Sequence, residues 1–173
     1  RTAWLANFLT HGGNFCFHEA LKDCWQDMAQ FKAKLDAAMK DYRYVGNSDC
    51  GLPFFADEVV KLYPSARWVF IKRNPEDVKA SLRGLFNQNT DIEVDACVKR
   101  LEEVENRICA YKVFGRGVNP LIVDFDSLNR QDVCAEIWAY CLPDIPFDAR
   151  RWALLNNLKV TVTPAEIAAL RGC

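Results

Sequence analysis

The sequence predicts an α/β fold, with a mainly parallel sheet flanked by helices, because strand-like and helix-like segments alternate along the chain. The clearest strand is the uninterrupted apolar run 68–71, which is typical of a strand buried on both faces. Helix-start signals follow at once, with Asn74 as N-cap, Pro75 at the first helical position and two acidic residues after it. A strand that passes so directly into a helix is expected in a parallel sheet, whose strands need crossover connections.

Helices and strands also alternate before this strand. A helix over 2–10 is followed by a short strand over 14–18 and by a long amphipathic helix over 20–40, in which apolar residues recur at helical spacing. A strand over 42–46 and a helix over 52–63 come next, and a Pro64-Ser65 turn leads into the strand over 67–73. This order indicates layered helices and strands.

The second half continues the same pattern. We predict a long helix from residue 92 to about 115, ended by Gly115-Arg116-Gly117, then a buried strand over 120–125 and a helix over 131–141. A capping box at 163–166 predicts a last short helix. No linker interrupts the 173 residues, half of which are hydrophobic, so we expect one domain over 1–173.

Composition excludes several function classes. A net charge of −1 argues against a broad nucleic-acid-binding face. The eight cysteines are scattered and form no Cys-x-x-Cys pair, so we expect free, buried thiols in a reducing compartment. No apolar run reaches the length of a membrane span and no secretory segment is visible, so we expect a cytoplasmic protein that does not bind membranes. No feature of the sequence indicates an oligomeric state.

Arg73 is the clearest candidate for ligand binding. It stands at the carboxyl end of the predicted strand, where open α/β sheets bind their ligands. A guanidinium group offers a rigid fork of donors that suits a phosphate. An ordinary structural ion pair is the alternative interpretation of Arg73.

The segment Arg-Asn-Pro-x-Asp-Val-x-x-Ser, from Arg73 to Ser81, resembles the 3′-phosphate-binding segment of the sulfotransferases. These enzymes move a sulfuryl group from 3′-phosphoadenosine 5′-phosphosulfate (PAPS) to an acceptor. The resemblance implies that Arg73 and Ser81 hold the 3′-phosphate. It also implies the sulfotransferase version of the P-loop nucleotide-binding fold. Ser81 could instead be an ordinary helix serine.

The first five residues, Arg1-Thr2-Ala3-Trp4-Leu5, are similar to the end of the family's 5′-phosphosulfate loop, whose common form is Lys/Arg-Ser-Gly-Thr-Thr-Trp-Leu. The resemblance implies that Arg1, Thr2, Ala3 and Trp4 contribute to the co-substrate site, with Thr2 on the loop threonine and Trp4 either on adenine or in the core. Helix N-termini bind anions through their free N–H groups. Because the sequence begins inside this motif, we expect the family's first strand and the start of the loop to be missing from it.

Sulfuryl transfer also requires a base that removes the proton of the acceptor. Glu19 is our first candidate and His18 the second, since His18 ends the strand over 14–18, Glu19 follows it, and related enzymes place a glutamate base there. A carboxylate that favours the start of a helix is the alternative for Glu19. The run 47–49 ends the next strand at the same edge and could line the acceptor pocket or form a turn. The spacing of histidines and cysteines fits no zinc pattern, so we expect no metal.

Together these features predict a PAPS-dependent sulfotransferase that acts on a hydroxyl or amine acceptor, either a small molecule or a macromolecule. Two alternatives remain open. One is a non-catalytic nucleotide-binding or interaction protein that keeps the fold. The other is a P-loop-like small-molecule kinase, although the sequence contains no Gly-x-x-x-x-Gly-Lys-Ser/Thr motif.

Overall fold

Helices alternate with four short strands in the computed structural model, which describes residues 2–24, 26–85, 91–113 and 120–157. The helices are α1 (Thr2–Leu9), α2 (Ala20–Asp23), α3 (Met28–Ala38), α4 (Ala56–Leu62), α5 (Pro75–Leu85), α6 (Asp91–Val113), α7 (Gln131–Cys141) and α8 (Ala149–Asn157). The strands are β1 (Asn14–His18), β2 (Tyr44–Ser48), β3 (Val69–Lys72) and β4 (Leu121–Asp124). Short 3₁₀ turns cover Leu52–Phe55 and Phe125–Asn129.

The strands form two parallel pairs. In one pair Asn14 lies opposite Tyr44, and in the other Val69 lies opposite Leu121. The mixture of helices and parallel strands confirms the predicted α/β class. Within the described residues, however, the strands make two separate two-stranded sheets where a single sheet was expected.

Several predicted boundaries are confirmed. The strand Asn14–His18 and the helix Gln131–Cys141 have the predicted ends, and α5 begins at Pro75. Asn74 is its N-cap, because its side-chain Oδ1 accepts a hydrogen bond of 2.9 Å from the backbone N–H of Glu76. The predicted Gly115-Arg116-Gly117 end and the last helix near 163 lie outside the described residues.

The single long helix predicted over 20–40 is wrong. The chain leaves α2 after Asp23, and Gln26 adopts a left-handed backbone with φ of 62°. Asp27 then starts α3 afresh, because its side chain accepts hydrogen bonds from the N–H groups of Ala29 and Gln30. Smaller shifts occur elsewhere: β2 begins two residues later than predicted, β3 is shorter at both ends, and the helix over 52–63 opens with a 3₁₀ turn.

Helices α3 and α4 are joined by a polar contact beside the core. The Tyr63 hydroxyl donates a hydrogen bond of 2.9 Å to Asp36, which also forms an ion pair with Lys32. The hydrogen bonds from Lys32 and then Tyr63 lower the pKa of Asp36. Burial, and then the contact with Asp36, raises the pKa of Tyr63.

The apolar core of the described residues consists of four clusters, two of which are described here. Trp138 is fully buried in α7, where it packs against Phe8 of α1 and Phe147 before α8. A second cluster surrounds Leu21 and Phe31, from α2 and α3. In the described ranges no helix combines the length and apolar character that crossing a membrane requires.

Arg151 of α8 binds the C-terminal end of α1. Its guanidinium donates hydrogen bonds to the backbone carbonyls of Asn7, Phe8 and Thr10. The last carbonyls of a helix have no partner within the helix, so this contact satisfies them. Helix α1, whose first residue is Thr2, is therefore held at its far end by the C-terminal part of the described chain.

Six cysteines in the described ranges are free thiols, of which Cys16, Cys24 and Cys134 are buried and Cys50 is exposed. Burial raises the pKa of Cys16 to about 12, with a smaller contribution from Cys141. Burial likewise raises the pKa of Cys141 to about 12. Both thiols are therefore protonated near neutral pH.

Candidate active site

Three of the predicted site residues lie together at the carboxyl end of β1. The Thr2 hydroxyl, in the first turn of α1, is 3.0 Å from Nε2 of His18, the last residue of β1. The same Nε2 atom is 3.7 Å from Oε1 of Glu19. The structure thus joins a hydroxyl, an imidazole and a carboxylate in one chain of contacts.

Glu19 has a strained backbone that the surrounding structure maintains. Its φ of 56° and ψ of 39° lie in the left-handed region, which costs an ordinary residue about 1–2 kcal/mol. Three contacts from the end of β2 hold this turn: the Ser48 carbonyl accepts from the Glu19 N–H, and the side chains of Asn47 and Asp49 accept from the next two backbone N–H groups. Strain maintained in this way is typical of functional positions.

The same contacts bear on the alternatives for Glu19. Glu19 occupies the N-cap position of α2, as its alternative role at a helix start requires, but its side chain makes no capping hydrogen bond, and the side chains of Asn47 and Asp49 accept from the first N–H groups of α2 instead. The carboxylate of Glu19 is therefore available for other contacts. Asn47, Ser48 and Asp49 also line the large cavity described below, so turn formation and pocket lining occur together.

Two neighbours of Glu19 were not predicted from the sequence. Lys22 Nζ lies 3.2 Å from Oε2, and Cys50 Sγ lies 3.9 Å from Oε1. Partial burial of the Cys50 sulfur raises the pKa of this otherwise exposed residue, and the charges of Glu19 and Asp49 add to that shift. The Lys22 contact has a sequence signal, because residues three apart meet on a helix face. The Cys50 contact depends on the tertiary fold and has none.

Arg73 occupies the position expected for a residue that binds an anion. It follows β3, and its guanidinium lies 4.7 Å from the ring centroid of Phe125, which follows β4. Its Nε atom is buried and has no hydrogen-bond partner within the described residues. Among the described residues, no carboxylate forms an ion pair with Arg73. The structural ion pair considered above is therefore not observed there. A buried donor without a protein partner fits a bound anionic group.

Thr2 and Arg73 line the same cavity, whose volume is about 810 Å³. Polar residues from the ends of β2 and β3 lie on its wall, among them Ser48, Asp49 and Lys72. Most of the remaining wall is apolar. Thr2 and Arg73 thus lie on the wall of one cavity, which extends along the full length of β2 and β3.

His18, which contacts Thr2, and Glu19 do not line this cavity, and the remaining predicted residues lie elsewhere. Ser81 is half-buried in the second turn of α5 and is not part of the cavity wall. Trp4 packs face to face against Phe8, with ring centroids 4.9 Å apart, which supports its placement in the core. Ala3 is exposed on α1, and Arg1 lies outside the described residues. No cluster of three or more histidine, cysteine or acidic side chains in the described ranges could hold a metal ion.

Comparison with known families places these residues in context. A family model described as the sulfotransferase domain matches residues 6–135, which is more than half of the chain. The chain belongs to the sulfotransferase family. The matched span contains His18, Glu19, Arg73 and Ser81, whereas Thr2 precedes it. Neither a curated protein nor a solved structure matches the chain.

Proposed function

We propose that this protein is a PAPS-dependent sulfotransferase acting in the cytoplasm on a hydroxyl or amine acceptor, with a P-loop-like nucleotide site. The observation that carries the proposal is that Thr2 and Arg73 line one cavity, and that the buried Nε of Arg73 lacks a protein partner within the described residues. Two anion-binding groups at the carboxyl ends of strands suit a co-substrate that carries phosphate at two positions.

The residues present fit the anionic parts of such a co-substrate. The Thr2 hydroxyl and the free N–H groups of the first turn of α1 would bind the 5′-phosphosulfate. Arg73 would bind the 3′-phosphate; the family resemblance pairs Ser81 with it, although Ser81 lies outside the cavity wall. The co-substrate supplies an activated sulfuryl group whose leaving group is a stable phosphate.

Glu19 is the proposed base. As the acceptor oxygen forms its bond to sulfur and the bond from sulfur to the 5′-phosphate oxygen breaks, the acceptor proton passes to the Glu19 carboxylate. The contact of Lys22 with Oε2 orients this carboxylate, so that Oε1 faces His18. His18, in contact with Thr2, links the proposed base to the start of α1 and is the second candidate base.

Calorimetric titration with 3′-phosphoadenosine 5′-phosphate and, separately, with ADP tests the binding part of the proposal. We expect clear preference for the 3′-phosphorylated nucleotide. Preference for ADP would favour a kinase-like protein and contradict the proposal.

Turnover tests the chemistry. The chain is incubated with PAPS and a set of hydroxyl and amine acceptors, and formation of 3′-phosphoadenosine 5′-phosphate is followed by chromatography. We expect acceptor-dependent product formation. Tight binding of the 3′-phosphorylated nucleotide without turnover on any acceptor would instead support the non-catalytic alternative.

A further inference from the structure

Some residues on the cavity wall carry a buried polar atom that has no hydrogen-bond partner within the described residues; they are Asn14, Asn47, Trp68 and Arg73. Asn14 begins β1 and Trp68 directly precedes β3, so both lie at the amino ends of strands. Asn47 is the next-to-last residue of β2 and Arg73 follows β3, so both lie at the carboxyl ends. Arg73 is assigned to the 3′-phosphate. Asn47 is therefore the buried polar group at this end of the wall that still has no assigned ligand.

The contacts of Asn47 decide which atom of its amide lacks a partner. Oδ1 accepts a hydrogen bond of 3.0 Å from the backbone N–H of Ala20. Because a backbone N–H requires an acceptor, the amide oxygen must lie on this side and Nδ2 on the other. The buried atom without a partner in the described residues is thus a donor. A buried donor left unpaired costs free energy, so Nδ2 fits a ligand that supplies an acceptor atom.

Asn47 lies between the proposed base and the proposed co-substrate site. Its side chain binds the N–H of Ala20, the residue that directly follows Glu19. Thr2, which would bind the 5′-phosphosulfate, lines the same cavity as Asn47. The reacting atom of the acceptor has to reach both the Glu19 carboxylate and the sulfuryl group, and Asn47 is the donor beside that path.

We propose that Asn47 donates a hydrogen bond from Nδ2 to the reacting oxygen of the acceptor, and that the enzyme therefore sulfates hydroxyl groups in preference to amines. This inference rests on the proposed function, which includes both kinds of acceptor. It adds Asn47 as a binding residue and narrows the class of substrate.

A hydroxyl group meets every requirement of this arrangement at once. Its oxygen has two lone pairs and carries one proton. One lone pair accepts the hydrogen bond from Asn47, and the other forms the new bond to sulfur. The proton passes to Glu19 while the bond from sulfur to the 5′-phosphate oxygen breaks. The products are a sulfate ester and 3′-phosphoadenosine 5′-phosphate.

An amine does not fit the same arrangement. A neutral amine nitrogen has a single lone pair, so the electrons that would accept from Asn47 are those that must attack sulfur. A protonated amine has no lone pair, and its N–H groups would face those of Asn47. A site that hydrogen-bonds a substrate hydroxyl discriminates against analogues that cannot make this bond. The orphaned donor thus favours alcohols and phenols.

Asn47→Asp tests the proposal because it removes the donor and keeps the rest of the side chain. One carboxylate oxygen can still accept from the Ala20 N–H, whereas the other replaces Nδ2 and can only accept. The assay measures kcat/KM at saturating PAPS for two matched pairs, 2-phenylethanol with 2-phenylethylamine and phenol with aniline. We expect the wild type to prefer the hydroxyl compound of each pair. Asn47→Asp should lower the hydroxyl-to-amine ratio at least about tenfold.

Asn129→Asp is the matched control, because it makes the same change at an exposed residue outside the cavity wall. Its hydroxyl-to-amine ratio should equal that of the wild type. Urea unfolding checks that Asn47→Asp is folded, and its affinity for 3′-phosphoadenosine 5′-phosphate should stay within about threefold of the wild-type value. A purely structural defect at Asn47 would lower turnover of both acceptors and leave their ratio unchanged.

A second measurement uses the wild type and needs no turnover. The side-chain amide resonances of Asn47 are recorded by NMR with 3′-phosphoadenosine 5′-phosphate and an excess of either 2-phenylethanol or 2-phenylethylamine. They should shift with the alcohol and not with the amine. An unchanged ratio in Asn47→Asp, a wild type that prefers amines, or equal shifts with both compounds would overturn the role of Asn47 while leaving the proposed function in place. A wild type without preference for 3′-phosphorylated nucleotides would refute the proposed function itself, and this inference with it.

Discussion

Replacing Arg73 with alanine tests the proposed nucleotide site most directly. The guanidinium lies against Phe125, its Nε is buried, and it has no carboxylate partner in the described part of the chain. Its removal therefore breaks no ion pair observed there, and the loss in ligand affinity reports the ligand contact itself. A hydrogen bond to a charged group contributes about 1.5–3 kcal/mol, which corresponds to about 10- to 150-fold in affinity.

The assay compares 3′-phosphoadenosine 5′-phosphate with adenosine 5′-phosphate, because these two ligands differ only by the 3′-phosphate. Arg73→Ala should weaken the first by about 10- to 150-fold and change the second by less than about threefold. Arg73→Lys keeps the charge but loses the planar fork, so its effect should lie between those of the wild type and Arg73→Ala.

Arg130→Ala is the matched control, since Arg130 is exposed, pairs with Asp132 on the surface and does not line the cavity. Its affinity for both nucleotides should equal that of the wild type. If Arg73→Ala weakened both nucleotides equally, Arg73 would not recognise the 3′-phosphate. If it weakened neither, the assignment of Arg73 to the site would be refuted.

Three further predictions concern the active site, acid stability and thiols. Glu19→Gly should lower turnover strongly, and full activity would exclude Glu19 as the base. The urea midpoint of unfolding should be unchanged or raised, because glycine accepts the left-handed backbone that costs glutamate about 1–2 kcal/mol. Asp36 has a lowered pKa, so its contribution to folding is present above the unfolded-state pKa and is lost as pH falls through the folded-state value. Urea unfolding should therefore show Asp36→Asn to be less stable than wild type near neutral pH, with the difference disappearing in acid; a difference that does not vary with pH would contradict this. Near neutral pH, iodoacetamide should modify the exposed Cys50 before Cys16 and Cys141, because pKa values of about 12 keep the latter two thiols protonated. Peptide mass mapping measures the order of modification, and equal rates in the native protein would contradict it.

Elements with local end signals were predictable from the sequence. β1 and α7 have the predicted ends, and α5 begins where Asn74 and Pro75 indicate. These signals act through neighbouring residues only, so they do not depend on the rest of the fold. The position of Arg73 at a strand end was predictable for the same reason.

Features that depend on distant contacts were not predictable. The left-handed turn at Glu19 is maintained by Asn47 and Asp49, which are 27 and 28 residues beyond the N–H groups they bind. The apolar periodicity over 20–40 continues across the break between α2 and α3. The sequence pattern therefore did not indicate that Asp27 caps a new helix. The division into two strand pairs is a property of tertiary packing, and no local pattern in the sequence reports it.

The contact between Arg151 and α1 has a consequence for folding during synthesis. The guanidinium binds carbonyls 141 to 144 residues earlier in the sequence, so α1 leaves the ribosome long before its fastening residue is synthesised. Contacts of such long sequence separation form late, since loop closure must precede them. Helix α1 is thus translated at least 141 residues before Arg151 and is among the last parts to be fixed. Any chaperone that binds the nascent chain meets this helix well before the candidate active site can form.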